Sequence, residues 1–291
     1  MGSMARKSAI PLAVLHVLVM SACAASAAEA AGDTAAMPAA QTDSLYRSIV
    51  VVTGTEERNR IAGFAQCLGD VLVKLTGDQT TLKDRRFPGI AAKAGTFVQS
   101  FSYRDRLEGK PYHDEQGTHD RPHDLTVTFD HAKIDALARS LGREPWLGPR
   151  PRVVVFLGVE NMRAKFMLAS DSIADRSDDM RAAFTAASEK AAIPLAFPML
   201  TQLEAHGWTA KSLPGAALAD ARAIAHDNGG DVAVIGSIVF SEQALGWVAR
   251  WRMEDHGKAY VWGARGVNFD AAFRDALFGA AQILSGHGKP E

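Results

Sequence analysis

The stretch "IVVVTGTEERNRIAGFAQCLGDVLVKLTG", residues 49–77, changes from a strand pattern to a helix pattern within a few positions. Residues 49–52 form a β-branched run that fits a buried strand. Thr53, with Glu56 three positions later, gives a capping-box signal for a helix start. Apolar residues then recur at helical spacing until Gly77, which suits a C-cap. They are Ile61, Phe64, Ala65, Leu68, Val71, Leu72 and Leu75.

Two further strands are predicted after this strand and helix. Phe101 and Tyr103 alternate with serines, and residues 125–129 alternate apolar side chains with threonines. Asp130 then stands where it can cap a short amphipathic helix. We therefore expect residues 44–143 to form an N-terminal α/β domain.

The second half repeats this pattern after a break. Residues 144–152 concentrate prolines and glycine, which predicts a linker. Residues 153–157 read as a buried strand, Ser177 as the cap of a helix, and residues 232–236 as an inner strand. The fold class expected for the whole chain is α/β (α+β), with two small mixed-sheet α/β sandwich domains. The second of these domains spans residues 153–285.

A tryptophan-bearing strand and a tail complete this half. Trp247 and Trp251 alternate with Arg250 and Arg252, which predicts an amphipathic, edge-type strand with a charged outer face. An apolar helix is expected to end the second domain. Residues 286–291 carry no periodic pattern and are expected to be a disordered tail.

The N-terminus has the pattern of an export signal. A basic start, an apolar run over residues 10–20 and small residues after it predict a signal peptide over residues 1–30. The run is shorter than the ~20 apolar residues of a membrane-spanning helix, so no transmembrane segment is expected after cleavage. Lipid attachment at Cys23 is the less favoured alternative. Residues 31–43 are small, polar and aperiodic, and predict a flexible leader. We expect a periplasmic or secreted protein.

Composition narrows the function further. Apolar residues make up 47% of the chain, enough for a sizeable core without disulfides. After signal cleavage Cys67 is the one thiol, and its place on an apolar helix face favours a core residue over a catalytic one. The formal net charge of -1 gives no electrostatic basis for nucleic-acid binding.

The tract "YHDEQGTHDRPHDLTVTFD", residues 112–130, raises the possibility of a metal site. Its candidate ligands are His113, His119 and His123. Pro122 makes a helix that would align His119 with His123 improbable, and no thiolates lie nearby. We favour a solvated loop between two strands, and we assign no metal ligand or cofactor.

Two runs resemble a known family. "FDHAKIDALARSLGREPWLGPRPRVVVFLG" (residues 129–158) resembles the central signature of an uncharacterised secreted proteobacterial family, domain of unknown function 2066, and residues 51–77 resemble its opening. Residues 232–284 are similar to its tail, so the resemblance covers nearly the whole mature chain. The shared motifs are structural, and no catalytic residue is established for the family. The resemblance therefore implies no catalytic role for any position.

Sequence motifs of catalysis are missing. The chain contains no G-x-S-x-G, H-E-x-x-H or phosphate-loop pattern, so we predict no catalytic residue. We expect a non-catalytic cell-envelope protein that binds an envelope protein or other component through sheet edges or the Trp/Arg strand. The alternative is an exported hydrolase whose site is assembled only in the fold. A cleft with convergent buried ionisable groups would favour the hydrolase, and an edge-strand patch the binding protein. Oligomeric state is left open.

Overall fold

The structure is a computed structural model, and it describes residues 39–109 and 121–290. These residues belong to one compact unit. The predicted signal peptide and Cys23 lie outside the described residues, and the first helix occupies the end of the predicted leader.

Helices and strands alternate along the described chain. The α-helices are α1 (Ala39–Leu45), α2 (Glu57–Thr76), α3 (Phe87–Ala91), α4 (His131–Ser140), α5 (Ser177–Ala191), α6 (Leu200–Ala205), α7 (Leu218–Asp227) and α8 (Phe269–Leu284). The strands are β1 (Arg47–Thr53), β2 (Val98–Asp105), β3 (Pro122–Phe129), β4 (Val153–Glu160), β5 (Lys165–Leu168), β6 (Leu195–Ala196), β7 (Val232–Ser241), β8 (Gly246–Asp255), β9 (Lys258–Trp262) and β10 (Arg265–Val267). Short 3-10 turns cover Gln79–Lys83, Ala94–Phe97 and Leu213–Gly215.

The first sheet has the strand order β1-β3-β2, and its pairs are antiparallel. Helix α2 packs on one face, where its Phe64 and Leu68 share a core with Val50 and Leu125. The predicted buried strand is wrong for the alternate residues of β1, which lie on the opposite face. A helix covers this sheet on one face, so a continuous β-branched run is buried on that face alone.

The start of α2 also differs from the prediction. Thr53 is the last residue of β1, and Glu56 takes the N-cap position without a side-chain capping bond. The predicted capping box is therefore wrong, because β1 and the turn after it extend further than the strand pattern indicates. The C-terminal end is as predicted: Gly77 adopts a left-handed conformation (φ 72°), and its amide donates to Val73 O.

The second sheet has the order β10-β8-β7-β4-β5, with β6 and β9 pairing to β4 and β8. Strands β4 and β7 are parallel, whereas β8 pairs antiparallel to β7. Helices α5 and α8 pack on one face of this sheet and α7 on the other. The predicted mixed α/β fold class is confirmed, and the parallel pairs belong to this second sheet.

Strand β8 lies inside the second sheet. It is flanked by β7 on one side and by β9 and β10 on the other, so the predicted edge-type strand is wrong. Trp251 is fully buried on it, and its indole N–H donates to Asp275 Oδ2 at 3.0 Å. Arg252 donates to the carbonyls of Pro214 and Ala216. The final antiparallel meander continues past β8, which covers the edge that the sequence pattern suggested was open.

Helix α5 begins at Ser177, which does not cap it. Arg176 holds the N-cap position with a φ of 63°, and the Ser177 hydroxyl donates to Ser172 O at 2.8 Å. The predicted serine cap is wrong because this hydroxyl is buried against the preceding loop. Asp178 and Asp179 lie in the first turn as predicted, where they complement the helix dipole.

The connecting and terminal segments make defined contacts. Residues 144–152 contain no helix or strand, and the amide of Trp146 donates to Leu75 O at 2.8 Å. In the predicted tail, the amide of His287 donates to Gln282 O at 3.0 Å, so the segment beyond α8 folds back on it. Among the described residues, no helix is long and apolar enough to cross a membrane.

Candidate functional site

The outer edge of β1 is open. The amide of Gly54 donates to Arg121 O, which fixes which residues of β1 bond to β3. Because bonded pairs alternate along an antiparallel ladder, the even-numbered residues of β1 bond to β3. The backbone N–H and C=O groups of Ile49 and Val51 therefore point away from β3. No strand within residues 39–109 and 121–290 pairs with this edge.

The side chains at this edge are unusually apolar for an exposed strand. Ile49 and Val51 are each 52% exposed and lie on the uncovered face of the first sheet. Edge strands are normally blunted by lysine, proline or a bulge, because a free ladder templates pairing with another chain. Between Ser48 and Thr53 the strand carries none of these devices.

A groove lies beside the start of this edge. Arg47 and Ile49 line one wall of a cavity of about 490 Å³, and the end of α5 with the residues up to Pro194 lines the other. Asp70 and Lys74 of α2 also line it. We call this cavity the edge groove. An open strand edge with a pocket beside it is the arrangement used in strand addition of extended peptides.

Lys74 fastens the turn before β1. Its Nζ donates to Arg47 O at 2.7 Å and to Ser44 O at 3.2 Å. Burial lowers the pKa of Lys74 to about 8, and the nearby Asp70 opposes this shift. These two hydrogen bonds hold the turn in place, and one of them satisfies the outward-facing carbonyl of Arg47. The free ladder positions therefore begin at Ile49.

Asp70 lies between two cavities. Its Oδ2 accepts a hydrogen bond from Ser48 Oγ at 3.1 Å. Burial raises the pKa of Asp70, and the positive charge of Lys190 opposes this shift more than any other group does. Besides the edge groove, Asp70 lines a cavity of about 460 Å³ between α2 and α8, which we call the helix cavity.

The helix cavity brings together two carboxyl groups. Asp275 of α8 lines it with Asp70, and Arg274 and Lys83 supply positive charge. Burial raises the pKa of Asp275 to about 6, while its hydrogen bond from Trp251 lowers it. Two half-buried carboxyl groups in one cavity are the feature expected of a hydrolase site. One oxygen of each, however, already accepts a hydrogen bond from the protein.

Asp275 makes stability depend on pH. The folded-state pKa of about 6 lies above the ordinary value of 3.8. The stabilising contribution is therefore full below the lower value and is lost as the pH rises through the higher one. In Asp275→Asn the amide oxygen still accepts the indole bond without titrating. We expect the variant to gain about 1 kcal/mol over the parent between acid and neutral pH, a value reduced for solvent screening.

Urea unfolding of both proteins from about pH 4 to about pH 7 checks this expectation. The difference in unfolding free energy should grow as the pH rises through the pKa of Asp275. A difference that stays constant across this range would show that Asp275 ionises normally in the folded protein.

Cys67 is a core residue, as its place on the helix predicts. It is fully buried in α2, and burial raises its pKa to about 12. At about pH 8 we expect Ellman's reagent to react about a thousandfold more slowly with the folded protein than with a free thiol. A chain starting at residue 35 carries this single cysteine. The same chain in urea should react fully, whereas stoichiometric labelling of the folded protein within minutes would contradict the assignment.

The histidine tract is described in part. His113 and His119 lie outside the described residues, so the choice between loop and metal site remains a prediction. His123 lies in β3, where its Nδ1 is 2.7 Å from Arg121 O and its ring is edge-on to Tyr103. Within residues 39–109 and 121–290, no group of three His, Cys, Asp or Glu residues converges to hold a metal ion.

Sequence reasoning missed Asp70 and Asp275 as site residues. Both lie on helices whose apolar stripes explain the rest of the pattern. Lys74 is visible in the sequence as a charged residue that interrupts the apolar run at the end of α2. Convergence of these groups depends on how α2 meets α5 and α8, which no local pattern contains.

Comparison with known proteins adds one match. Residues 39–147 match a family described as a domain of unknown function (DUF8605). The match spans the first sheet and α2, and therefore includes the open edge of β1 and the residues of α2 that line both cavities. No curated protein matches the chain. This part of the chain is thus an uncharacterised domain.

Proposed function

We propose that the chain is an exported, non-catalytic cell-envelope protein that binds an extended segment of an envelope protein along the outer edge of β1. The observation that carries this proposal is the pair of outward-facing backbone positions at Ile49 and Val51, next to the edge groove. Backbone bonds supply affinity in strand addition, and pockets beside the edge supply specificity.

The charges of the edge groove suggest what the bound segment carries. Arg47 and Lys190 line it together with Glu189, so both signs of charge are available near the start of the edge. The exposed Ile49 and Val51 suit alternating apolar side chains on the added strand, since cross-strand pairs stabilise a sheet.

Export rests on the N-terminal pattern and on resemblance. The signal-peptide pattern over residues 1–30 supports a periplasmic location, with lipid attachment at Cys23 as the alternative. The similarity of residues 51–77, 129–158 and 232–284 to the secreted proteobacterial family, domain of unknown function 2066, supports the same location.

The test places a photo-crosslinking residue at position 49 of the full chain in cells. We expect one envelope protein to be crosslinked, and Val51→Lys to reduce the yield about tenfold by blunting the edge. Thr126→Lys is the matched control, because Thr126 lies on the same open face but on the central strand. Equal yields from parent and Val51→Lys would overturn the proposal.

The hydrolase is the second candidate, and Asp70 and Asp275 in the helix cavity favour it. Turnover of model esters and glycans by the parent, lost in both Asp70→Asn and Asp275→Asn, would establish it and refute the non-catalytic assignment. Under the proposal made above, the parent turns over none of these substrates.

A further inference from the structure

Two hairpin tips project from one end of the second sheet. Strands β4 and β7 run parallel in register from Val153↔Val232 to Glu160↔Val239, so they end together. The β4–β5 turn and the β7–β8 turn therefore lie side by side. These tips belong to the second sheet, whereas β1 belongs to the first.

Each tip carries an exposed apolar side chain. Met162 in the first turn is 74% exposed, and Leu245 in the second is 90% exposed. Val239 and Phe240, at the end of β7, are also partly exposed behind them. Solitary exposed apolar residues are ordinary, but two that project from neighbouring turns, with Val239 and Phe240 on the two faces of the strand behind them, indicate an interaction surface.

The conformation of Leu245 is a second observation. Its φ of 52° lies in the left-handed region, which a branched side chain rarely adopts and which glycine or asparagine fills at low cost. The chain thus holds a leucine in a strained backbone conformation with nearly its whole side chain in water. Such strain at an exposed position points to a function for the side chain.

Basic residues flank the two tips. Arg163 adjoins Met162, and Arg265 at the start of β10 pairs with Val248, the third residue of β8 after the second turn. Lys165 is paired with Glu160 at 2.5 Å, and Glu242 is the acidic residue of the second turn. We call Met162, Val239, Phe240 and Leu245, with Arg163 and Arg265, the tip surface.

We propose that the tip surface docks the protein on an anionic lipid bilayer, with Met162 and Leu245 inserted among the headgroups and the two arginines on their phosphates. Apolar side chains at the most projecting points suit a lipid interface, which admits them to a depth of about 5–10 Å. The basic flank adds attraction to anionic headgroups. This inference goes beyond strand addition at β1 and does not depend on it.

The test is flotation with vesicles of phosphatidylethanolamine and phosphatidylglycerol, against vesicles of phosphatidylcholine alone. A chain starting at residue 35 retains every described residue and prevents the predicted signal segment from binding by itself. We expect the parent to bind the anionic vesicles, and Met162→Ser combined with Leu245→Asn to bind at least about tenfold more weakly. Arg163→Gln combined with Arg265→Gln should lose the preference for anionic lipid.

Ile173→Ser is the matched control. Ile173 is 98% exposed in the loop after β5, which runs away from the tips, so its replacement should leave vesicle binding unchanged. Thermal unfolding of each variant confirms folding, and Leu245→Asn should not lower the midpoint because asparagine tolerates the left-handed conformation. The proposal fails if the parent leaves anionic vesicles unbound, if the tip variant binds as the parent does, or if a crosslinker at residue 245 reaches a protein instead of lipid.

Discussion

Replacing Arg150 by methionine is expected to lower the free energy of unfolding by about 3 kcal/mol, because one guanidinium donates hydrogen bonds to carbonyls near the ends of two helices. Arg150 is 6% exposed, and its Nη atoms donate to Lys74 O near the end of α2 and to Ala191 O at the end of α5. It also donates to Trp146 O and lies 4.3 Å from that ring. Methionine fills the space but leaves these carbonyls without a donor.

Arg150→Lys separates charge from geometry. Burial lowers the pKa of Arg150 to about 10, so the side chain stays charged at neutral pH and complements both helix dipoles. Lysine keeps the charge but cannot place planar donors on two helix ends at once, so we expect an intermediate loss. Urea unfolding followed by circular dichroism measures both variants. A methionine variant within about 0.5 kcal/mol of the parent would show that Arg150 does not join the two halves.

Gly236→Ala is expected to cost about 3 kcal/mol, the upper end of the range for overpacking in a core. Gly236 lies opposite Trp251 in the β7–β8 ladder, and an added Cβ would meet Trp251 Cζ3 at 2.1 Å. The indole is fixed from its other side by the bond to Asp275, so it cannot move away without losing that bond.

Two further variants test this explanation. Gly89→Ala is the matched control, because an added Cβ there meets nothing within 4 Å and α3 is a helix, where alanine is preferred. Trp251→Phe in the Gly236→Ala background should recover part of the loss by shortening the ring. Thermal unfolding compares the three, and an unchanged midpoint in Gly236→Ala would refute the packing described for Trp251.

Elements with a clear periodic pattern could be predicted from the sequence. The buried stripe of α2 from Phe64 to Leu75, its end at Gly77 and the Asp130 cap of α4 follow from local spacing and are observed. Ile61, predicted on the same buried face, is instead 50% exposed. The predicted caps of α2 and α5 are wrong, since Thr53 is the last residue of β1 and Ser177 is already the first residue of α5, with its hydroxyl bonded to the preceding loop. A capping residue is recognised by its backbone position, which sequence alone does not give.

Binding at a sheet edge stays a prediction, and the sequence does not indicate which edge is open. Sheet edges or the Trp/Arg strand were the two alternatives expected to bind a partner, and the Trp/Arg strand is internal whereas β1 has an open edge. A β-branched run such as residues 49–52 fits a strand covered on one face as well as a strand covered on both, so the sequence does not distinguish the two. Only the packing of α2 on one face, and the lack of a described strand beyond β1, separates these cases.

Residue-resolved amide hydrogen exchange along β1 tests the open edge most directly. We expect protection at Val50 and Val52, whose amides bond to β3, and exchange at Ile49 and Val51 close to that of an unstructured chain. Once the crosslinked partner has been identified, adding its bound segment should protect Ile49 and Val51 and leave Val50 and Val52 unchanged. Protection of Ile49 and Val51 already in the free protein would show that this edge is closed, and would contradict strand addition at β1.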